Sequence, residues 1–411
     1  MTDLAARLDE LREQGLFRRL RLVDGPQGPR VLLDGRPVML LCSNNYLGLA
    51  DHPRVRQAAA EAAMRWGAGA GASRLISGHM KLHRSLEGRL AEFEQKESAL
   101  LFGSGYLANT GVISALAGSG DVVYSDELNH ASIIDGCRLS RAETFVYRHG
   151  DTEHLAWGMR ARRGRRSMIV TDGLFSMDGD LAPLPDLVRL ARDNASLLVV
   201  DEAHGTGTMG PGGRGAAAAL GVADEVDVVV GTLGKALGGY GAYVCAGHDV
   251  IDWLVNASRP FIFSTAPPPP AAAAALAALE LVASHPHRIG RLQENAALLR
   301  RALADEGLEV TPGESQIIPV IVGDAHRTME LCEGVLERGV FAQGIRPPTV
   351  PDGSSRLRMT VMATHRAAEL RHAAKVVGSV ARSLGMAGEP AAATDPLAAE
   401  EWPALPPARA A

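Results

Sequence analysis

Three features of the 411-residue chain predict an α/β fold: a large domain with a mostly parallel central sheet, plus a smaller C-terminal α+β domain. Between about residues 38 and 246, short apolar runs alternate with helical stretches, the rhythm of strand–helix–strand units. Several of those runs are apolar throughout, as strands covered by helices on both faces require. Beyond about residue 304 the pattern changes to three strands separated by two helices. At roughly 150 residues per domain, the length allows two or three domains with a large buried core.

Taken in order, residues 1–22 are expected to form an amphipathic helix, with Leu4, Leu8, Leu11 and Phe17 on one side. The strand candidates are VMLLC (38–42), SALLF (98–102), DVVYS (121–125), TFVY (144–147), SMIVTD (167–172), SLLVVD (196–201), VDVVVG (226–231) and GAYVCAG (241–247). Pro267 to Pro270 break the chain, and a long helical region follows to about residue 304. Strands are then expected at 307–311, 316–322 and 355–361, and helices at 326–338 and 366–384. The expected organisation is an N-terminal helix and strand segment over 1–55, a large domain over 56–285 and a small domain over 286–386. A tail over 387–411, rich in Pro and Ala, is expected to be disordered.

Composition narrows the function classes. Hydrophobic residues at 46% and charged residues at 22% are ordinary for a globular protein. A net charge of −5 argues against a nucleic-acid binder, which needs a strongly basic face. Cys42, Cys137, Cys245 and Cys332 are far apart and form no CxxC pair, so neither a disulfide framework nor a zinc knuckle is expected. The N-terminus has no apolar signal core, and the apolar stretch from Ala271 to Ser284 is too short to span a bilayer and contains Glu280. No membrane association and a cytoplasmic location are expected. Of 42 Lys and Arg residues only four are lysines: Lys81, Lys96, Lys235 and Lys375. Chemistry that needs a primary amine therefore has four candidates.

Some motifs mislead. Gly205-Thr-Gly207-Thr-Met-Gly210 has dinucleotide-binding spacing, but DEAH separates it from the strand and PGGRG stands where a helix should begin. DEAH itself lacks an upstream GxxxxGK[ST] loop. His79 and His83, at i and i+4, lack the Glu of HExxH and a third ligand, so no metal site is expected and a solvated helical face is the simpler reading.

Asp201 ends an apolar strand, at the sheet edge where ligands of open α/β folds collect. By position alone, capping the next turn would serve equally well. His204 follows three residues later. Lys81, Lys96 and Lys375 lie in charged helical stretches, where solvated faces explain them. Lys235 instead follows VDVVVG inside GTLGKALGGYG, at the end of a buried strand. Partial desolvation there would favour a nucleophilic amine of the kind that captures aldehydes. Pyridoxal phosphate (PLP) needs this set of groups. Lys235 would hold its aldehyde, and an ionised Asp201 would pair with the ring nitrogen. Gly103-Ser104-Gly105-Tyr106, before a helix expected near Leu107, offers amides to a phosphate dianion. Thr232 could add a hydroxyl. His130 follows another strand and could stack on the ring, although taken alone a satisfied core histidine is the favoured reading there.

The segments LCSNNYLGLA (41–50), LFGSGYLAN (101–109), SDELNHASIIDGCRLS (125–140), TDGLFSMDGD (171–180), VVDEAHGTG (199–207), GTLGKALGG (231–239) and IRPPTVPDGSSRLRMT (345–360) occur together. In them the chain resembles the α-oxoamine synthase family of fold-type I PLP-dependent transferases, over roughly residues 20–385. The resemblance implies that Lys235, His130, Asp201 and His204 are the catalytic groups. It gives Gly105, Tyr106, Ser176 and Thr232 to the cofactor, and Ser264 and Thr265 to the phosphate of a partner subunit in a homodimer. Arg358, Asn44 and Arg21 would bind substrate. The segment IRPPTVP points to the branch that condenses L-alanine with a pimeloyl thioester carried by coenzyme A or acyl carrier protein. Glycine- or serine-using branches of the family are the alternative.

Overall fold

The structure is a computed structural model, and it describes residues 3–390. From residue 391 on, the expected tail lies outside the described residues. The chain divides into two compact units, one over Asn44–Arg291 and one combining Met1–Ser43 with Leu292–Ala411.

The first unit is built on a seven-stranded sheet. Its spatial order is Ser98–Phe102, Ala242–Ala246, Val228–Thr232, Leu197–Asp201, Ser167–Asp172, Val122–Asp126 and Glu143–Tyr147. Ala242–Ala246 runs antiparallel to both neighbours, and the remaining pairs are parallel. The expected mostly parallel α/β sheet is therefore present. Its central strands are buried along nearly their whole length because both faces are covered. Val123, Val170, Val199, Val230 and Val244 pack with Ile113 of the helix Gly105–Leu116 and with Phe261 in one apolar cluster. β-Branched side chains suit this pleated, enclosed setting. Parallel register sets Asp172 beside Asp201 at the same carboxyl edge.

The second unit carries two small sheets. Val23–Asp24, Arg30–Leu33 and Arg36–Leu40 form an antiparallel meander that Val340–Phe341 joins in parallel. Ile317–Gly323, Ser355–Thr360 and Gln343–Ile345 form an antiparallel sheet, against which the helix Ala325–Glu337 packs. The run VMLLC thus belongs to this unit and not to the large sheet.

Several local expectations are corrected. The N-terminal helix covers only Leu4–Glu13; Gly15, at φ +67°, turns the chain out of it, and residues 16–22 continue without regular structure. No residue of this helix is buried, so its apolar side finds nothing among the described residues to hold a longer helix in place. The expected strand at 307–311 pairs with no strand among the described residues. Leu308 is buried there, so packing accounts for its apolar character without pairing. The long helical region splits into Pro269–Ser284 and His287–Asp305 around Pro286, which cannot continue a helix.

Candidate active site

Lys235 sits in a tight turn between the strands Val228–Thr232 and Ala242–Ala246. Backbone bonds from Gly238 N to Lys235 O (2.9 Å) and from Gly239 N to Leu233 O (2.7 Å) hold the turn. Gly238 is required: its φ is +63°, and a Cβ there would lie 2.4 Å from Ala50 N. The half-buried Lys235 points its Nζ at Nε2 of His204, 2.9 Å away. Nδ1 of His204 lies 2.7 Å from the hydroxyl of Tyr46, which donates to Asn44 Oδ1 at 3.0 Å. One assignment satisfies every link. Tyr46 donates to Asn44, Nδ1–H of His204 donates to Tyr46, and Nε2 accepts from the lysine.

Asp201 is buried, and each of its carboxylate oxygens accepts one hydrogen bond. Oδ1 accepts from Ala203 N at 2.8 Å, and Oδ2 accepts from Asn109 Nδ2 at 2.6 Å. Asn109 belongs to the helix Gly105–Leu116 and also donates to Ser132 Oγ at 2.9 Å. Ser132 Oγ in turn lies 2.7 Å from His130 Nδ1. A connected polar chain thus runs from Asp201 through Asn109 and Ser132 to His130. Burial, together with the charge of Lys235, holds the His130 imidazole below its ordinary pKa against the opposing pull of Asp201. A neutral ring fits its bonds: Nδ1 accepts from Ser132, which leaves the proton on Nε2.

Asp172 makes a second buried carboxylate beside Asp201. Burial and the neighbouring Asp201 push its pKa well above the usual carboxylate range, although it accepts a hydrogen bond from His130 N at 2.8 Å. Two anions side by side in a buried sheet edge are costly, and that repulsion adds to burial in raising Asp172.

The remaining expected residues of this unit fall as follows. Gly105 and Tyr106 open their helix behind the N-cap Ser104, whose Oγ accepts from Leu107 N at 3.2 Å. As first-turn residues they have no intrahelical acceptor for their N–H groups, and the space where a Gly105 side chain would stand is open. The Tyr106 hydroxyl bonds Asp135. Thr232 is buried; its hydroxyl donates to Gly241 O and accepts from Gly234 N, both at 3.2 Å, inside the lysine turn. Ser176 is half-buried in the loop after Ser167–Asp172. Thr265 pairs with Ser73 in an isolated bridge, and Ser264 precedes it. Arg358 and Arg21 belong to the other unit. Arg358 is buried on Ser355–Thr360. Arg21 pairs with Glu333 at 2.5 Å and Asp34 at 3.6 Å.

Tyr46, Asn109, Ser132 and Asp172 were not singled out from the sequence. Asp172, like Asp201, ends an apolar run, and that parallel was the available signal. Two other readings change as well. His83 is buried, not solvated: Nδ1 accepts from Met80 N at 3.0 Å and Nε2 lies 2.7 Å from Pro267 O. Lys96 is half-buried and donates to Ala223 O and Val226 O at 2.9 and 2.6 Å, whereas Lys81 and Lys375 are exposed as expected.

A primary amine, a buried carboxylate and an open helix N-terminus gathered at one sheet edge suit the aldehyde, ring nitrogen and phosphate of PLP. They define a PLP-dependent enzyme of the α/β aminotransferase fold, and the family of class I and II aminotransferases matches residues 36–389. Within that fold, the chain belongs to the family of the 8-amino-7-oxononanoate synthases. It is 54% identical over 386 residues to 8-amino-7-oxononanoate synthase of Geobacter sulfurreducens, covering 93% of this chain and 99% of that one. To the enzyme of the same name in Citrifermentans bemidjiense it is 54% identical over 389 residues, with 94% and 100% covered. Among solved structures it is similar to serine palmitoyltransferase of S. paucimobilis with PLP bound (TM-score 0.89, 31% identity, 93% and 98% covered). It is also similar to 8-amino-7-oxononanoate synthase of Francisella tularensis (TM-score 0.74, 26% identity, 85% and 99% covered). The backbone course is shared across these branches. The 54% identity with the Geobacter and Citrifermentans synthases exceeds the 31% with serine palmitoyltransferase, and it favours the oxononanoate branch over the serine-using one. Among the described residues, no helix is long and apolar enough to cross a membrane.

Proposed function

We propose that this chain condenses L-alanine with a pimeloyl thioester, giving 8-amino-7-oxononanoate, carbon dioxide and the free thiol, in the biosynthesis of biotin. The observation that carries the reading is the Lys235–His204 contact at the carboxyl edge of the sheet, within a chain half identical to synthases of that name.

PLP, when bound, supplies an electron sink that makes the Cα–H and Cα–carboxyl bonds of alanine breakable. The protein's part is to hold and orient. Lys235 would hold the cofactor's aldehyde. Its Nζ would be the group that takes the Cα proton of alanine and gives one back after carbon dioxide is lost. His204, accepting from Nζ, aims the amine and keeps a proton acceptor next to it. Asp201 pairs with the ring nitrogen, and the Asn109 bond fixes the orientation of its carboxylate. His130, held below its ordinary pKa, would stack on the ring without adding charge. The amides of Gly105 and Tyr106 take the phosphate together with Ser176 and Thr232. Arg358, whose planar fork matches a carboxylate, holds that of alanine with the aid of Asn44, and Arg21 serves the acyl substrate. The working unit is a homodimer in which Ser264 and Thr265 reach the partner's phosphate.

Release of coenzyme A with alanine, glycine and serine against several acyl thioesters tests the reading. Alanine with pimeloyl-CoA should exceed every other pair. If glycine with acetyl-CoA, or serine with palmitoyl-CoA, is preferred, another branch of the family is the right one.

A further inference from the structure

The loop after Ser167–Asp172 folds back on itself as a narrow hairpin within the unit Asn44–Arg291. Gly173 O accepts from Ala182 N at 3.1 Å, Leu174 and Leu181 form an isolated bridge, and Asp180 O accepts from Phe175 N at 2.9 Å. Gly179 N closes the tip on Phe175 O, also at 2.9 Å, so Ser176 stands at the tip. One side chain from outside grips both residues that flank this tip. His149, in the turn after Glu143–Tyr147, sets Nε2 2.8 Å from Asp180 Oδ2, and its ring stands edge-on to Phe175 with centroids 4.5 Å apart. Its Nδ1 lies 2.9 Å from Oδ1 of Asp126, a buried residue at the end of Val122–Asp126. The Asp126 carboxylate also accepts from Leu128 N and Gly150 N, both at 2.9 Å, and His130 follows four residues after it.

Ionised carboxylates only accept, so both ring nitrogens must donate, and the ring between them is an imidazolium. The two bonds raise its pKa to about 10, which keeps it charged at neutral pH. A charged ring between two anions is a firmer tie than neutral partners would make. It also stands where a tie matters. Gly173 N, donating to Asp201 O at 2.8 Å, fixes the base of the hairpin to the sheet, while His149 fixes the end that carries Ser176. We propose that His149 is a positioning residue for the cofactor site: it ties the hairpin tip to the strand end that leads into His130, and so holds Ser176 where it meets the phosphate. This rests on the reading that gives Ser176 to the phosphate. On it, His149 acts through Asp180 and Phe175, not on the cofactor itself.

Equilibrium dialysis of the full-length protein against PLP, and against pyridoxal, which lacks the phosphate, tests this without turnover. Asp180 is half-buried and lies outside the strands, so Asp180→Ala should leave the fold standing, as thermal melts check. Asp180→Ala and Ser176→Ala should each bind PLP roughly 10-fold more weakly than wild type, the size of one lost charge-assisted bond, with pyridoxal changed by less than about twofold. His149→Asn, whose shorter amide reaches Asp126 but not Asp180, should match Asp180→Ala. Asp180→Asn keeps an acceptor for Nε2–H and should recover most of the loss. In the chain carrying both Asp180→Ala and Ser176→Ala the two losses should not add, because the hairpin then has no hydroxyl to place. PLP affinity unchanged in Asp180→Ala but weakened in Ser176→Ala would overturn the proposal alone. Additive losses, or an equal loss for pyridoxal with a lowered melting temperature, would also overturn it, since both mark a purely structural contact. Unchanged affinity in Ser176→Ala would overturn the assignment of Ser176 and the proposal with it.

Discussion

The Tyr46 hydroxyl meets Nδ1 of His204 at 2.7 Å, although the two residues stand 158 positions apart in the chain. Both are buried, Tyr46 completely. The contact fixes which face of the imidazole turns to Lys235, because a histidine with its Nδ1–H committed to an oxygen presents an unprotonated Nε2.

Replacing Tyr46 with Phe should therefore disturb the lysine without touching it. The ring still fills its site, but Asn44 Oδ1 and His204 Nδ1 lose their shared partner. Stability should fall by about 1–3 kcal/mol, the cost of buried polar groups left unpaired. Turnover should fall by roughly 10-fold or more as proton transfer loses alignment. Denaturant melts and steady-state rates check both, and an unchanged rate would leave His204 oriented by something else.

Lys235→Ala is expected to stop turnover while leaving the fold intact. Reduction of the wild-type holoenzyme with borohydride should leave the cofactor mass on the peptide containing Lys235, and no other lysine should carry it. Peptide mass spectrometry reads this directly. Lys96, already committed to two backbone carbonyls, is the informative negative control.

Asn109→Ala removes the bond to Asp201 and the link to Ser132 together. The Asp201 carboxylate then keeps only its backbone donor, Ala203 N. Weaker cofactor retention is expected, along with a loss of about 1–3 kcal/mol in stability. Equilibrium dialysis against free PLP, with thermal melts alongside, separates the two effects.

A pH effect is expected from His149. Hydrogen bonds to Asp126 at 2.9 Å and Asp180 at 2.8 Å raise its pKa to about 10, and its ring stands edge-on to Phe175. The folded-state value lies above the ordinary 6.5, so the contribution is fully present below that pH and is lost as pH rises through about 10. Urea unfolding at pH 7, 8, 9 and 10 should show falling stability in wild type and a flatter profile in His149→Gln. Parallel profiles would show that another group titrates.

Periodicity and composition were sufficient for the large sheet, because a strand covered on both faces must be apolar along its length, and seven of the eight strand candidates belong to it, VMLLC being the exception. Lys235 and Asp201 were legible for a related reason: a charged residue that ends such a run, or stands in the turn just after it, sits at the sheet edge. Tyr46, Asn109 and Ser132 were not legible. Their partners lie 158, 92 and 23 residues away, and a polar side chain within a helix or loop carries no mark of the bond it will make. By itself the sequence determined the strand pattern, the amine and the cofactor chemistry that an amine and a carboxylate at a sheet edge imply. Only the tertiary structure decided which side chains orient those groups, because hydrogen bonds and burial depend on distances through space that chain spacing does not encode.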